Sequence, residues 1–312
     1  MNAPRIVLFV LAATFVALLA ASVGSVARRA RALRFGRTAL LGLACTTVLG
    51  PFVWLAAAIF KDRTVLNEYL FFPPPPKWSH ATMNLDNFRE LLRGHETMHG
   101  LIHFPRYVLN SVLYATVGTT CQLVLSSLAG YALAKYRFRG KNALMLFMLG
   151  SMMIPQVLLL APLYKMAVDL GMVDSLWGLL LPWMVSAYGI FLFRQACMAI
   201  PDELIDAGRI DGCSEFGIYF RLVMPLVRPM AAAFCLVSFL SFWNAFFAPN
   251  IFLHSQDKLT LPVVLQLYLN QYKLDYGVFL AGTALAMLPP AILFLALQKE
   301  FISGLTSGAV KG

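Results

Sequence analysis

Apolar residues gather in seven runs along this chain: 6–26, 39–60, 108–134, 143–163, 176–193, 230–248 and 277–297. Each is close to the length of about 20 residues that crosses a bilayer as a helix. None contains Asp, Glu, Lys or Arg. In lipid a helix satisfies its own backbone hydrogen bonds, so all seven runs predict helices. Pro51, Pro155, Pro162, Pro182, Pro289 and Pro290 fall in or near them, and each removes a donor and predicts a kink or break. The polar stretches between runs are short except for 61–106 and 194–228. The first of these holds a stiff Pro73-Pro74-Pro75-Pro76 element and an amphipathic helix predicted over 84–92. No internal repeat or separate soluble domain is visible.

Composition agrees with this pattern. Of 312 residues, 59% are hydrophobic and 13% charged, against about 25% charged in a soluble domain. The net charge of +10 would point to nucleic acid in a soluble chain; here it reflects basic loops, and no nucleic-acid partner is expected. Arg28, Arg29, Arg31, Arg34 and Arg37 fill the linker 27–38, and Lys135, Arg137, Arg139 and Lys141 fill the turn 135–141, both without an acid. Placing these, the 194–228 loop and the C-terminal tail in the cytoplasm puts 15 of the 25 basic residues there. The N-terminus is then expected outside and the C-terminus inside. Run 6–26 exceeds the h-region of a signal peptide, and five arginines follow it, so a retained helix is the expectation. The five cysteines show no paired spacing.

Two polar constellations invite chemistry. His95-Glu96-Thr97-Met98-His99 matches H-E-x-x-H, with His103 continuing the i, i+4 series. On a helix this would aim imidazoles at one metal, with Glu96 as general base of a membrane zinc protease. Gly94 and Gly100 weaken a helix there, and the loop is too short to build a cleft. The favoured reading is a solvated loop with no catalytic metal, whose His95, His99 and His103 could hold a metal only adventitiously. No Walker A motif is present, since Gly140-Lys141 is followed by Asn142 and preceded by Lys135 where a glycine belongs. No ionisable group lies inside a run for proton coupling. A transporter of this make-up is a stand-alone channel or carrier, or takes its energy from a partner.

The second constellation is the acidic stretch from Pro201 to Gly212. Pro201 starts a helix whose dipole suits Asp202 and Glu203, Gly212 turns the chain, and Ser214 caps a second helix over 215–223 ahead of Pro225. Its residues Asp206-Ala207-Gly208-x-x-Asp211-Gly212, nine further positions, then Leu222-Val223-Met224-Pro225, resemble the EAA loop of permease subunits in binding-protein-dependent ABC importers. The family pattern is E-A-A-x3-G-x9-I-x-L-P. Departures are Asp206 for Glu, Gly208 for Ala, Leu222 for Ile and Met224 for Leu. Asn110-Ser111, Ala129-Gly130-Tyr131-Ala132 followed by Tyr136-Arg137-Phe138-Arg139-Gly140, Trp243-Asn244 and the ending from Gly304 to Gly312 are similar to its carbohydrate-type, MalG-like members. The resemblance covers roughly 37–312 and leaves 1–36 as an extra N-terminal helix and linker.

The resemblance implies an all-α polytopic MetI/MalG-like permease fold with six core transmembrane helices plus the extra one, in a bacterial inner membrane. It implies a sugar or related carbohydrate as solute and several partners: a dimer of ATPase subunits, a second permease, and an extracytoplasmic solute-binding protein. ATP and Mg would sit on the ATPase, with no cofactor on this chain, which would be a non-catalytic subunit. Asp206, Ala207, Gly208, Asp211, Gly212 and Pro225 would form the ATPase-coupling loop, with Asp206 pairing to a basic residue of that partner and Ala207 and Gly208 allowing close approach. Gly304, Gly308 and Lys311 in the tail 298–312 are second contact candidates. Asn110, Gln122, Trp243 and Asn244 are candidates for the translocation pathway; interhelical hydrogen bonding is their other reading.

Overall fold

The computed structural model describes residues 26–62, 64–79, 82–93, 95–97, 100–270 and 276–309. The chain divides into a first unit, Met1–Asn87, and a second, Phe88–Gly312. The N-terminal helix expected over 6–26 lies outside the described residues.

In the first unit α1 is one helix, Val26–Ala58. The linker expected over 27–38 is therefore helical, and the boundary expected at 36/37 falls inside α1. Arginine, leucine and alanine favour helix strongly enough to carry it past the single Gly36. Leu40, Leu41, Val48 and Phe52 are more than half exposed, the outward apolar surface of a helix solvated by lipid. The loop beyond α1 is tied by unusual bonds. Lys61 is fully buried, and its Nζ donates to the carbonyls of Tyr69 at 2.5 Å and Leu70 at 3.4 Å. Trp78 Nε1 donates to the Pro73 carbonyl at 2.7 Å and pins the polyproline element.

The amphipathic helix expected at 84–92 is α2, Asp86–Arg93. The H-E-x-x-H helix does not form. His95–Thr97 is strand β1, paired antiparallel with β2, Gly100–Ile102, with His95 opposite Ile102 and Thr97 opposite Gly100. With 95–97 extended and paired to 100–102, the helical i, i+4 face that the zinc reading needs is not formed. His99 lies outside the described residues; His103 is exposed just before α3.

The second unit is built on α3, Phe104–Lys135, about 48 Å long at 1.5 Å per residue. The run at 143–163 is not one continuous helix. It is α4, Lys141–Ser151, and α5, Gln156–Asp169, bent by 100°. The last turn of α4 tightens into i→i−3 bonds, and Pro155, without an N–H, ends it. Likewise 176–193 divides into α6, Leu176–Trp183, and α7, Ala187–Met198, bent by 47° around Pro182. Ser186 Oγ restarts the helix by accepting from Gly189 N at 3.1 Å. Two short helices follow, α8, Asp202–Ile210, and α9, Glu215–Leu226. Then come α10, Arg228–Trp243, α11, Phe247–Phe252, α12, Leu261–Asn270, α13, Tyr276–Ala286, and α14, Leu288–Ala309. The run at 230–248 thus ends at Trp243, and Pro289 and Pro290 fall in the first turn of α14, where a missing N–H costs nothing.

α3 packs along α7 and α10, and α10 along α14. Phe193, Phe234, Tyr131, Tyr219 and Val223 form a core at the Lys135 end of α3. Tyr107, Tyr114, Phe242, Trp243 and Phe252 form another toward its start. The tail 298–312 is helical as far as Ala309.

Candidate functional site

The acidic stretch folds as a tight helical hairpin of α8 and α9. Pro201 is the N-cap of α8, with Asp202 and Glu203 in its first turn. The helix ends in a Schellman motif. Cys213 N donates to the Gly208 carbonyl at 3.0 Å and Gly212 N to the Arg209 carbonyl at 3.1 Å. Gly212 holds φ +78°, a conformation that glycine adopts without a Cβ clash. Ser214 caps α9, its Oγ accepting from Gly217 N at 3.1 Å. The second helix was expected to stop before Pro225. It instead winds as a π-helical turn over Tyr219–Val223 and continues through Met224–Leu226. The π turn resets the bonding register so that Pro225 occupies a first-turn position. The chain then turns by 82° into α10.

Ile205, Ile218, Tyr219 and Val223 are buried between the hairpin and the spans. Ser127 and Tyr219 hydroxyls meet at 2.6 Å. On the surface, Arg209 joins the two helices: its Nη1 bonds Asp206 Oδ1 at 2.9 Å and its Nε bonds Glu215 Oε1 at 2.8 Å. Tyr136 Oη donates to Glu215 Oε2 at 2.5 Å. Hydrogen bonds from Arg209, then Tyr136, hold the Glu215 carboxyl below its usual range. Burial, then the bond to Glu215, pushes the Tyr136 phenol up to about 12.

The outward face is apolar. Ile210 is 86% exposed, Phe216 68% and Phe220 59%. Such side chains in an otherwise charged hairpin mark a contact surface. The sequence reading passed over Phe216 and Phe220, although their spacing of four against buried Ile218 and Val223 marks them as the opposite stripe.

The expected loop residues divide. Asp206, Ala207, Asp211, Gly212 and Pro225 are exposed on the hairpin. Gly208 is buried, and a Cβ there would meet Leu222 Cδ1 at 2.9 Å and Ile218 Cγ1 at 3.2 Å. Its smallness serves the packing of α8 on α9. Asp206, expected to await a partner's cation, already shares its charge with Arg209.

The pathway candidates do not converge. Gln122 Nε2 donates to the Trp183 carbonyl at 2.8 Å while its Oε1 accepts from Ser238 Oγ at 2.9 Å, joining three elements. Asn110 Nδ2 donates to the carbonyls of Asp257 and Leu259. Trp243 Nε1 donates to the Ala286 carbonyl at 3.1 Å, and Asn244 caps its own helix on the Leu240 carbonyl. Among the described residues, cavities open beside α3. One of about 230 Å³ has Tyr114, Gln122, Gln156, Trp183 and Ser241 in its wall. One of about 410 Å³ has Arg106, Asn110, Tyr114, Asp174 and Thr260. Trp243 and Asn244 line neither. Tyr114, which the sequence reading did not name, lines both. Gly304 and Gly308 lie on α14, and Lys311 lies outside the described residues. No group of three or more metal-ligating side chains occurs among the described residues.

Comparison with known proteins agrees with this geometry. A family described as "Binding-protein-dependent transport system inner membrane component" matches residues 122–305. The arabinooligosaccharides transport system permease protein AraQ of Bacillus subtilis (strain 168) is 40% identical over 230 residues, 74% of this chain and 80% of that protein. The lactose transport system permease protein LacG of Rhizobium radiobacter is 31% identical over 272 residues, 87% of this chain and 94% of that one. In fold, the chain is similar to one chain of a bacterial ABC transporter involved in the import of the acidic polysaccharide alginate. The TM-score is 0.75 at 20% identity, over 89% of this chain and 99% of the other. With spans broken at proline and a charged hairpin between α7 and α10, the chain belongs to the inner-membrane permease components of binding-protein-dependent transport systems.

Proposed function

We propose that this subunit passes a sugar or short oligosaccharide across the membrane, driven by ATP hydrolysis in a separate ATPase dimer docked on the α8–α9 hairpin. The supporting observation is the exposed apolar triad Ile210, Phe216 and Phe220 on a hairpin braced by Asp206, Arg209 and Glu215. Covering that triad would release apolar surface worth about 25 cal/mol per Å². The Asp206–Arg209 pair lies at the rim and offers the partner a fixed charge pattern, and Gly212 makes the turn. ATP and Mg belong to the ATPase, so this chain serves as the non-catalytic member. A second, different permease chain completes the pathway, and a solute-binding protein delivers from outside. The hairpin and C-terminus face the cytoplasm, and α14 beyond Glu300, with Gly304 and Gly308, extends toward the same ATPase. The names of the relatives support a carbohydrate solute, and Tyr114, at the wall of both cavities beside α3, is the best-placed aromatic to face it.

Co-purification tests this. The wild-type chain is expected to bring an ATPase subunit out of the membrane, and a Phe216→Ser, Phe220→Ser variant to insert normally and lose it. Solute flux by the purified chain alone in liposomes, without any ATPase, would overturn the reading in favour of a stand-alone carrier.

A further inference from the structure

The last residue of α3, Lys135, and the C-cap residue after it, Tyr136, each grip the first acidic residue of one hairpin helix. Lys135 Nζ bonds Asp202 Oδ1 at 2.6 Å and the Ile200 carbonyl at 2.5 Å. Its side chain is 6% exposed although that of Asp202 is 79% exposed. Burying an ammonium to this degree is costly unless acceptors surround it, and here one carboxylate and one carbonyl do so. Tyr136 Oη takes Glu215, the first residue of α9. Asp202 is likewise the first residue of α8. A third bond, Ser127 to Tyr219, lies two turns back along α3. By covalent order the hairpin belongs to α7 and α10. By non-covalent bonding it is mounted on α3.

We propose that Lys135, with Tyr136, is a positioning residue that fastens the hairpin to α3, so that a push on the hairpin moves α3 as a rod. This rests on the hairpin being the ATPase dock. The far end of that rod is also anchored: Arg106 Nη2 pairs with Asp257 at 2.8 Å, and Asn110 holds the carbonyls of Asp257 and Leu259. α3 therefore joins the hairpin end of the spans to the end bearing the larger cavity. Tyr114 and Gln122, which line the cavities, ride on the same helix. Helical rods bonded at both ends carry displacement with little loss, which is the physical requirement for coupling two distant sites. Without the Lys135 bonds, α8 would be held by its chain connections and by side-chain packing, and α3 would lag behind it.

The test uses the whole complex in proteoliposomes. Lys135→Met is expected to keep the ATPase bound and its unstimulated hydrolysis unchanged. Hydrolysis stimulated by solute and binding protein, and uptake, should fall about tenfold, within the range usual for coupled sites. Lys135→Arg, which can still donate to both acceptors, should retain most of the coupling. In a background without the native cysteines, Lys135→Cys with Asp202→Cys, bridged by a short reversible bis-thiosulfonate reagent, should recover stimulation and lose it again on reduction. A general folding defect would not follow the cross-link. Wild-type coupling in Lys135→Met, or a loss that bridging fails to reverse, overturns the proposal. Failure of the wild-type chain to bind any ATPase would instead overturn the docking assignment.

Discussion

Gly130 lies where α3 crosses α7, and a Cβ there would sit 2.6 Å from Phe193 Cβ, 2.8 Å from Arg194 N and 2.9 Å from the Ile190 carbonyl oxygen. Two of these are backbone atoms of a helix and cannot yield locally. Gly130→Ala should therefore destabilise by about 1–3 kcal/mol, the usual cost of overpacking. Gly208→Ala should lose less, because its neighbours are side-chain atoms of Leu222 and Ile218. Thermal unfolding of the two purified variants checks the order. Asp174 supplies a second prediction. It stands in a left-handed conformation at φ 57° and accepts from His254 N, Ser255 N, Ser255 Oγ and Lys258 Nζ. Burial opposes its ionisation, but the bonds from Lys258, Ser255 and His254 outweigh it and hold the carboxyl well below the carboxylate range. A depressed folded pKa means the stabilisation is complete above the unfolded value of about 3.9 and drains away as pH falls below it. In melting curves between pH 6 and pH 3 (roughly the window set by that value), Asp174→Asn should start less stable and show a shallower acid decline than wild type. Equal slopes would remove Asp174 from the acid response. Neither environment was legible in the sequence, where Gly130 was one letter of a motif and Asp174 one of two acids in a short segment between apolar runs. Their meaning comes from Phe193 and Lys258, 63 and 84 positions away in the chain.

Elements were legible where a local rule decides them. The apolar runs give α1 and α3 because length and the absence of charge are what lipid requires. Gly212 and Ser214 mark the end of α8 and the start of α9 because left-handed backbone and capping hydroxyls act within a few residues. Proline announced breaks at 155 and 182 but not their size, since a bend of 100° or 47° is set by what each half packs against. The same limit applies to the H-E-x-x-H spacing. Spacing alone is neutral between a helix and a hairpin, and the ladder from His95 to Ile102 decided it. Pro225 shows a local rule overridden. A proline expected to end α9 is absorbed by the π turn before it, and the tertiary anchor of Tyr219 on Ser127 lies within that turn.

Across the second unit, charge is segregated to the two ends of α3. Lys135 with Asp202, and Arg209 with Asp206 and Glu215, gather at the hairpin. Arg106 with Asp257 and Lys258 with Asp174 gather at the opposite end. Arg106 and Lys135 are 29 residues apart on one helix, about 44 Å at 1.5 Å per residue, which exceeds the roughly 30 Å hydrocarbon core. Both clusters can thus sit in water with the uncharged middle of α3 in lipid, and desolvating either would cost several kcal/mol per ion. Charge pairing alone does not say which end faces the cytoplasm; the proposed orientation, with the hairpin inside, rests on the excess of Lys and Arg in the short loops. In a chain whose native cysteines are replaced, Asp211→Cys should react with a membrane-impermeant maleimide only after the cells are opened, and Asp257→Cys should react in intact cells. Both positions are exposed and carry none of the Lys135 or Asp174 bonds, and the Arg106–Asp257 pair that Asp257→Cys removes is itself solvent-exposed, so labelling reads sidedness and not unfolding. Labelling of both from one side would mean that α3 does not cross the bilayer. Labelling with the sides exchanged would turn the hairpin away from any cytoplasmic ATPase and leave the apolar triad without its partner.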